Sequence, residues 1–418
     1  MTATRREFVR LGLGSCTLLS CGTNVPGFLA RTAAAAPAGD RSTGRVLVVL
    51  ELNGGNDGLN TVVPFADDAY ARHRPRLRIP TGSLHRLDEH VGMHPDLFGL
   101  NELWKQGELA IVQSVGYPNA NRSHFESMDI WQTAMLEPDD RAAGWLNRGV
   151  GRQAAATGGG SAVHVGNREI PRALTGDALA VHSLEGLDQL VRRIGIPERG
   201  NTSAHRAALD RVARMPRGEA GSHLQFIQRS QVVTYASSAR IEQILRSGGG
   251  PSDSGYPDTG LAQRLRLVAQ LIRSGLSTSI YYVQLEGFDT HFRQLDVHAT
   301  LLRELGGAAS AFFEDLRRSK EAGRVLLLAF SEFGRRLTEN ASRGTDHGTA
   351  APVILAGPGV RRGLHGPYPN LVDLQDGDPR FAVDFRRIYA TILDRWLDCP
   401  SRTVLGAEFA HLGVVAGR

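Results

Sequence analysis

Four short stretches of the chain bring together side chains that bind cations. Asp57 stands in Asn53-Gly54-Gly55-Asn56-Asp57-Gly58. Asp289 and His291 lie in Gly287-Phe288-Asp289-Thr290-His291. Glu332 begins Glu332-Phe333-Gly334-Arg335-Arg336, and Asp346 and His347 precede Gly348. Carboxylates mixed with imidazoles suit zinc or manganese, with calcium or magnesium where oxygen dominates. A single Asp–His pair is common on any surface, but several pairs point to a shared divalent-metal centre of unstated nuclearity. The candidate ligands are Asp57, Asp289, His291, Glu332, Asp346 and His347. Asn53, Asn56, Arg122 and Arg335 are the candidates for holding an anion. Arg335-Arg336 reads equally well as a solvated helix start.

A nucleophile is sought in the same way. Ser123 and His124 follow the polar loop Asn119–Arg122 and open a predicted helix over 123–135. A helix N-terminus favours an anion and lowers the cost of a developing alkoxide. A metal close by would activate the hydroxyl further. Ser123 also reads as an N-cap, with Glu126 three residues on completing a capping box. The two roles are compatible, so Ser123 and His124 are the catalytic candidates.

These residues need a frame. Arg45-Val46-Leu47-Val48-Val49-Leu50-Glu51-Leu52 is a nearly unbroken apolar run with β-branched residues, the pattern of a buried parallel strand. Further strands are predicted at 109–113, 279–285, 325–330 and 351–356, and helices at 94–107, 261–273, 295–319 and 385–397, the last capped by Asp384. Alternating strands and helices predict an α/β three-layer sandwich with a mostly parallel central sheet. In such sheets ligands bind beyond the carboxyl ends of the strands, where the four polar stretches fall. Residues 150–260 are less regular; helices at 203–214 and 222–246 fit a cap or a helical insertion. His73, His85, His90 and His94 read as surface-loop residues, and Trp131 and Trp145 as core or rim.

Composition bounds the class. The chain has 418 residues, 41% hydrophobic and 22% charged, enough for one large domain. Of the net charge of +5, +3 comes from residues 1–36, where Arg5, Arg6, Arg10 and Arg31 oppose Glu7. No basic run interleaved with aromatics occurs, which argues against nucleic acid. There is no dinucleotide fingerprint, CxxC or haem motif, which argues against redox catalysis. Thr4-Arg5-Arg6-Glu7-Phe8-Val9-Arg10, a modestly apolar stretch and then Ala33–Ala36 read as a twin-arginine signal peptide over 1–36. The mature domain then spans 41–418, exported to the periplasm or outside the cell, with the twin-arginine translocase as partner during export. Leu18-Leu19-Ser20-Cys21 resembles a lipobox, so the membrane is a partner only if the leader is retained or Cys21 is acylated. Cleavage after Ala36 removes Cys16 and Cys21 and leaves Cys399 without a disulfide partner.

The motifs also carry a family likeness. "LLLAFSEFG" (326–334) and "DHGTAAPVILAGPGV" (346–360) resemble segments of alkaline phosphatases, sulfatases and cofactor-independent phosphoglycerate mutases. "NGGNDGLNTVVP", "NRSHFESMDIWQTA", "GFDTH", "SEFGRR" and "TDHGTAAP" together resemble the exported bacterial family known as domain of unknown function 1501, over nearly all of the chain after the leader. The superfamily likeness implies an alkaline phosphatase-like fold and metal-dependent ester hydrolysis. It makes Asp57 the early carboxylate, Ser123 the nucleophile between metals, and Asp289, His291 and His347 ligands, with Glu332 at the acidic position of a second metal. Phe333 stands where that superfamily has a metal-binding histidine, Asn53 competes with Asp57 for the early position, and the second metal is thereby in question. The expected function is hydrolysis of a phosphate or sulfate ester on a small molecule or polysaccharide. The alternative is a non-catalytic binding or assembly protein on the same fold.

Overall fold

The computed structural model describes residues 44–150, 161–166, 169–185, 255–275 and 278–416. The leader at 1–36, with Cys16 and Cys21, and the helices expected at 203–214 and 222–246 lie outside these residues. Among the described residues no helix is long and apolar enough to cross a membrane.

A nine-stranded sheet forms the middle layer. Its strands are β1 (Val46–Asn53), β2 (Leu109–Gly116), β3 (Ser161–Val165), β4 (Ala180–Leu184), β5 (Ile280–Glu286), β6 (Val325–Phe330), β7 (Ala351–Ala356), β8 (Gly363–His365) and β9 (Val383–Asp384). The order across the sheet is β8-β2-β7-β6-β1-β5-β3-β4, with β9 beside β2. All pairings are parallel except those of β7, which runs antiparallel to both β2 and β6. The exception has a simple cause. A short hairpin, and no crossover helix, separates β6 from β7, so the chain must return in the opposite sense.

The apolar run of β1 divides between the two faces. Val46, Val48, Leu50 and Leu52 pack with helices α1 (Phe98–Lys105), α3 (Gly260–Arg273) and α4 (Gln294–Arg318). Leu47 and Val49 pack on the other side with α2 (His124–Thr133) and α5 (Phe385–Arg395). The fold is therefore the expected three-layer α/β/α arrangement. Asp384 caps α5 as expected, accepting from Arg386 N at 2.9 Å. Trp131 and Trp145 are core residues, stacked on Phe385 and Tyr389 respectively.

Three expectations need correction. The stretch read as the start of a cap supplies β3 and β4, whose five residues each are too short to stand out by pattern. His94 is no surface residue: it is 4% exposed, its ring 6.1 Å from that of His298. Arg335 begins a strand, Arg335–Glu339, that pairs with Thr345–His347, and not a helix.

Candidate metal centre

Because β7 is reversed, its first residue lies at the edge where β1, β2, β5 and β6 end. Loops leaving four strands and the hairpin entering β7 thus meet in one place. Gly54 makes the approach possible. Its φ is +119°, and a Cβ there would lie 2.4 Å from Asp289 N. Gly55, at φ +74°, leaves room for the Phe333 ring, 2.3 Å from where its Cβ would be.

Three imidazoles from three segments converge there. His124 Nδ1 donates to Glu332 Oε1 at 2.7 Å. His347 Nδ1 donates to the carbonyl of Arg122 at 2.8 Å. His291 Nδ1 donates to Asp346 Oδ1 at 3.2 Å. An acceptor at Nδ1 fixes the tautomer and leaves the lone pair on Nε2. All three Nε2 atoms surround one atom, Asp289 Oδ1, at 3.5 Å from His124, 3.0 Å from His291 and 3.1 Å from His347. The Nε2 atoms of His291 and His347 are 2.8 Å apart. His124 Nε2 is buried with no hydrogen-bond partner. Lone pairs and a carboxylate oxygen held this close repel one another unless a cation or a proton lies among them. The ligand atoms of His124, Asp289 and His347 all lie within 4.8 Å of one another, a group that could hold a metal ion.

The electrostatics differ from residue to residue. Burial alone would raise the Asp289 carboxyl, but hydrogen bonds from Arg335 and His347 and the charge of Arg335 outweigh it and lower it to about 2. Burial depresses His347. The hydrogen bond to Glu332 raises His124. Glu332 itself is fully buried. Its Oε1 also accepts from Gly54 N at 2.9 Å, and its Oε2 lies 2.8 Å from Ser331 Oγ.

Residues 45–398 match the family described as "Protein of unknown function (DUF1501)". This chain belongs to that family. No curated protein sequence matches the DUF1501 chain. Solved structures similar to it include the C-terminal periplasmic domain of EcEptC from Escherichia coli in complex with Zn, at 9% identity, with 76% of this chain and 74% of that one covered and a TM-score of 0.35. Another is the lipoteichoic acid synthase LtaP from Listeria monocytogenes, at 10% identity, 81% and 74% coverage and a TM-score of 0.30. A third is the phosphonate monoester hydrolase of Agrobacterium radiobacter, at 12% identity, 87% and 78% coverage and a TM-score of 0.32.

In the DUF1501 chain the other candidates have separate duties. Asp57 is not with the imidazoles' carboxylate. Its Oδ2 takes Arg74 Nη1 at 2.5 Å, both side chains fully buried, and also accepts from Gln294. Burial would raise Asp57, but Arg74 outweighs it and the net shift is downward. Glu332, expected at a second metal, steers His124 instead, and Asp346 steers His291. Asn56 Oδ1 accepts from Thr61 Oγ1 at 3.0 Å and His298 Nε2 at 2.9 Å, which ties it to the scaffold. Asn53 Nδ2 donates to the buried Glu51 at 3.2 Å. Arg122 donates through Nε to Asp378 at 2.9 Å.

Ser123 is exposed at the start of α2, and its hydroxyl does not cap the helix. Glu126 pairs with Arg141 at 2.7 Å, so no capping box forms. Beside it lies a cleft of about 420 Å³, lined by Tyr117, Asn121, Arg122, Thr349, Arg380 and Phe381 among others. Sequence reasoning missed two supporting residues. Arg74 claims Asp57 from 17 positions away, and no spacing rule pairs residues in such a loop. Asn340 Nδ2 donates to Asp346 Oδ1 at 3.2 Å and to the carbonyl of His291 at 3.0 Å. Its place in the Asn340–Gly344 turn is the one signal that could have marked it.

Proposed function

We propose that this protein is a metal-dependent hydrolase of phosphate or sulfate esters, exported by the twin-arginine route that residues 4–10 suggest. One observation carries the reading: three histidines, each oriented through Nδ1 by an oxygen, present Nε2 to one ionised carboxylate oxygen. That is how proteins prepare imidazoles for a metal. His124, Asp289 and His347 would hold the ion, with His291 beside them, and a donor set of two nitrogens and one oxygen suits zinc or manganese better than calcium. A bound divalent cation supplies a Lewis acid for an ester's phosphoryl or sulfuryl oxygen.

The chain's own residues supply the rest. Ser123 precedes a candidate ligand, and no helix cap engages its hydroxyl, which leaves it available for attack. Arg122 holds His347 through its carbonyl, while its side chain lines the cleft. The cleft therefore joins the centre at that residue. Its lining, with Asn119, Asn121, Thr349, Gln375 and Asp376 beside two carboxylate-paired arginines, fits a hydroxyl-rich ester better than an apolar one.

The test is elemental analysis of untagged protein, followed by assay of the metal-loaded form on aryl phosphates, phosphodiesters and aryl sulfates. About one tightly held ion, with turnover abolished in Ser123→Ala, is expected. Metal-loaded protein that turns over none of these esters would count against hydrolysis.

A further inference from the structure

Several carboxylate oxygens around the centre already have partners. Three acids were candidates besides Asp289, and each has an oxygen engaged elsewhere, although Asp57 Oδ1 is buried without a hydrogen-bond partner. Asp57 is neutralised by Arg74. Glu332 receives Gly54 N and His124 Nδ1, with Ser331 Oγ against its other oxygen. Asp346 receives Asn340 and His291 through Oδ1. Asp289 alone reaches the imidazole Nε2 atoms, and a positive group already touches it.

That group is Arg335, whose side chain has no solvent exposure. Its Nη2 donates to Asp289 Oδ1 at 2.7 Å and to the carbonyls of Gly54 and Phe288, the latter at 3.1 Å. Nε donates to Gly55 O at 2.7 Å and Nη1 to Thr345 O at 2.8 Å. Nη1 also lies 3.5 Å from His291 Nε2. Every edge of the guanidinium is thus held by the loops that build the centre. Backbone carbonyls solvate the charge without cancelling it, so Asp289 is its one formal counter-ion among these contacts. A guanidinium does not lose its proton, so the charge is permanent.

Resting on the metal reading above, we propose that Arg335 is a built-in second cation: the centre takes one divalent ion among His124, Asp289 and His347, and the guanidinium occupies the position of a second. A second divalent ion at Asp289 and His291 would lie beside this fixed positive charge, with one carboxylate oxygen to share between three cations. Arg335 is thereby a positioning residue. It aims Asp289 Oδ1 at the imidazoles and sets the number of ions. Phe333 fits the same account, since its buried ring packs 4.9 Å from His124 and 4.8 Å from His347 and offers no ligand atom.

The experiment counts ions independently of turnover. Wild-type protein, Arg335→Lys and Arg335→Ala are dialysed to equilibrium against zinc and analysed for metal, and their manganese forms are examined by electron paramagnetic resonance. Wild type and Arg335→Lys are expected to hold one ion per chain and to give the spectrum of isolated manganese. Arg335→Ala is expected to admit a second ion, and millimolar guanidinium is expected to return it to one. Two ions or an exchange-coupled pair in wild type would overturn the inference while leaving a metal hydrolase intact. One ion in Arg335→Ala without guanidinium would overturn it as well. If Arg335→Ala does not fold, the wild-type count and spectrum decide alone. No ion in any form would overturn the inference together with the reading on which it rests.

Discussion

His124 Nδ1 lies 2.7 Å from Oε1 of Glu332, a carboxylate with no exposure to solvent. The pair joins the first turn of α2 to the loop after β6 and turns His124 Nε2 toward Asp289. Replacing such an orienting acceptor typically weakens metal binding by about 10- to 100-fold. Glu332→Gln should therefore lower zinc affinity by that factor, read by competition with a chromophoric chelator, while the far-ultraviolet circular dichroism stays unchanged. An unaltered affinity would mean that the carboxylate serves folding alone.

Ser123→Ala separates the two roles read from the sequence. The hydroxyl makes no cap, so stability to urea should change by no more than about 0.5 kcal/mol, as for most surface sites. Loss of a nucleophile should lower kcat on a responsive ester by roughly 10⁴-fold or more. A loss of about 1 kcal/mol in stability with activity intact would restore the capping role.

The Asp57–Arg74 pair should matter for folding and not for metal. Breaking a buried ion pair from one side leaves a stranded charge and costs about 3–5 kcal/mol. Asp57→Asn should lower the unfolding free energy by that order, with the metal count of the folded fraction unchanged. If the zinc count falls in step with that of His347→Ala, Asp57 is a ligand after all.

Acid should destabilise the metal-free protein through His298. Burial lowers this histidine to about 3, against the charge of Asp57 and with that of His94, Arg74 and Arg335. The unfolded chain then binds the proton that the folded chain refuses. The histidine's contribution is complete above about pH 6.5, the unfolded value, and is lost as pH falls toward 3. The unfolding free energy of chelator-treated protein, read from urea titrations, should fall with a slope approaching about 1.4 kcal/mol per pH unit from this residue. His298→Gln should flatten that slope; an equal slope in both proteins would assign the acid sensitivity elsewhere.

The strands that hold the site could be read from sequence because burial on both faces writes itself as unbroken apolar runs, as in β1, β5 and β6. The helix boundaries of α3, α4 and α5 fell within a few residues for a related reason: an amphipathic period and a capping aspartate are local signals. The reversal of β7 was not visible, since strand direction depends on the connection and not on the strand's own residues. The ligand candidates divide along the same line. Asp289, His291 and His347 were marked by their place at strand ends, and their side chains come together in the fold. Asp57 carried the same mark, but a partner 17 residues later claims it. The fate of Arg335 was equally hidden, because a dipeptide of arginines looks solvated until the loops that enclose it are assembled.

The three histidines and the aspartate sit at positions 124, 289, 291 and 347, on segments that meet only once β1, β2, β5, β6 and β7 have paired in register. An unfolded or half-paired chain holds no such site. Any ion taken up here is selected after the sheet has closed, by a rigid set of ligands, and its binding free energy adds to the stability of the native state alone. The compartment in which the sheet closes thus decides which ions the centre meets first.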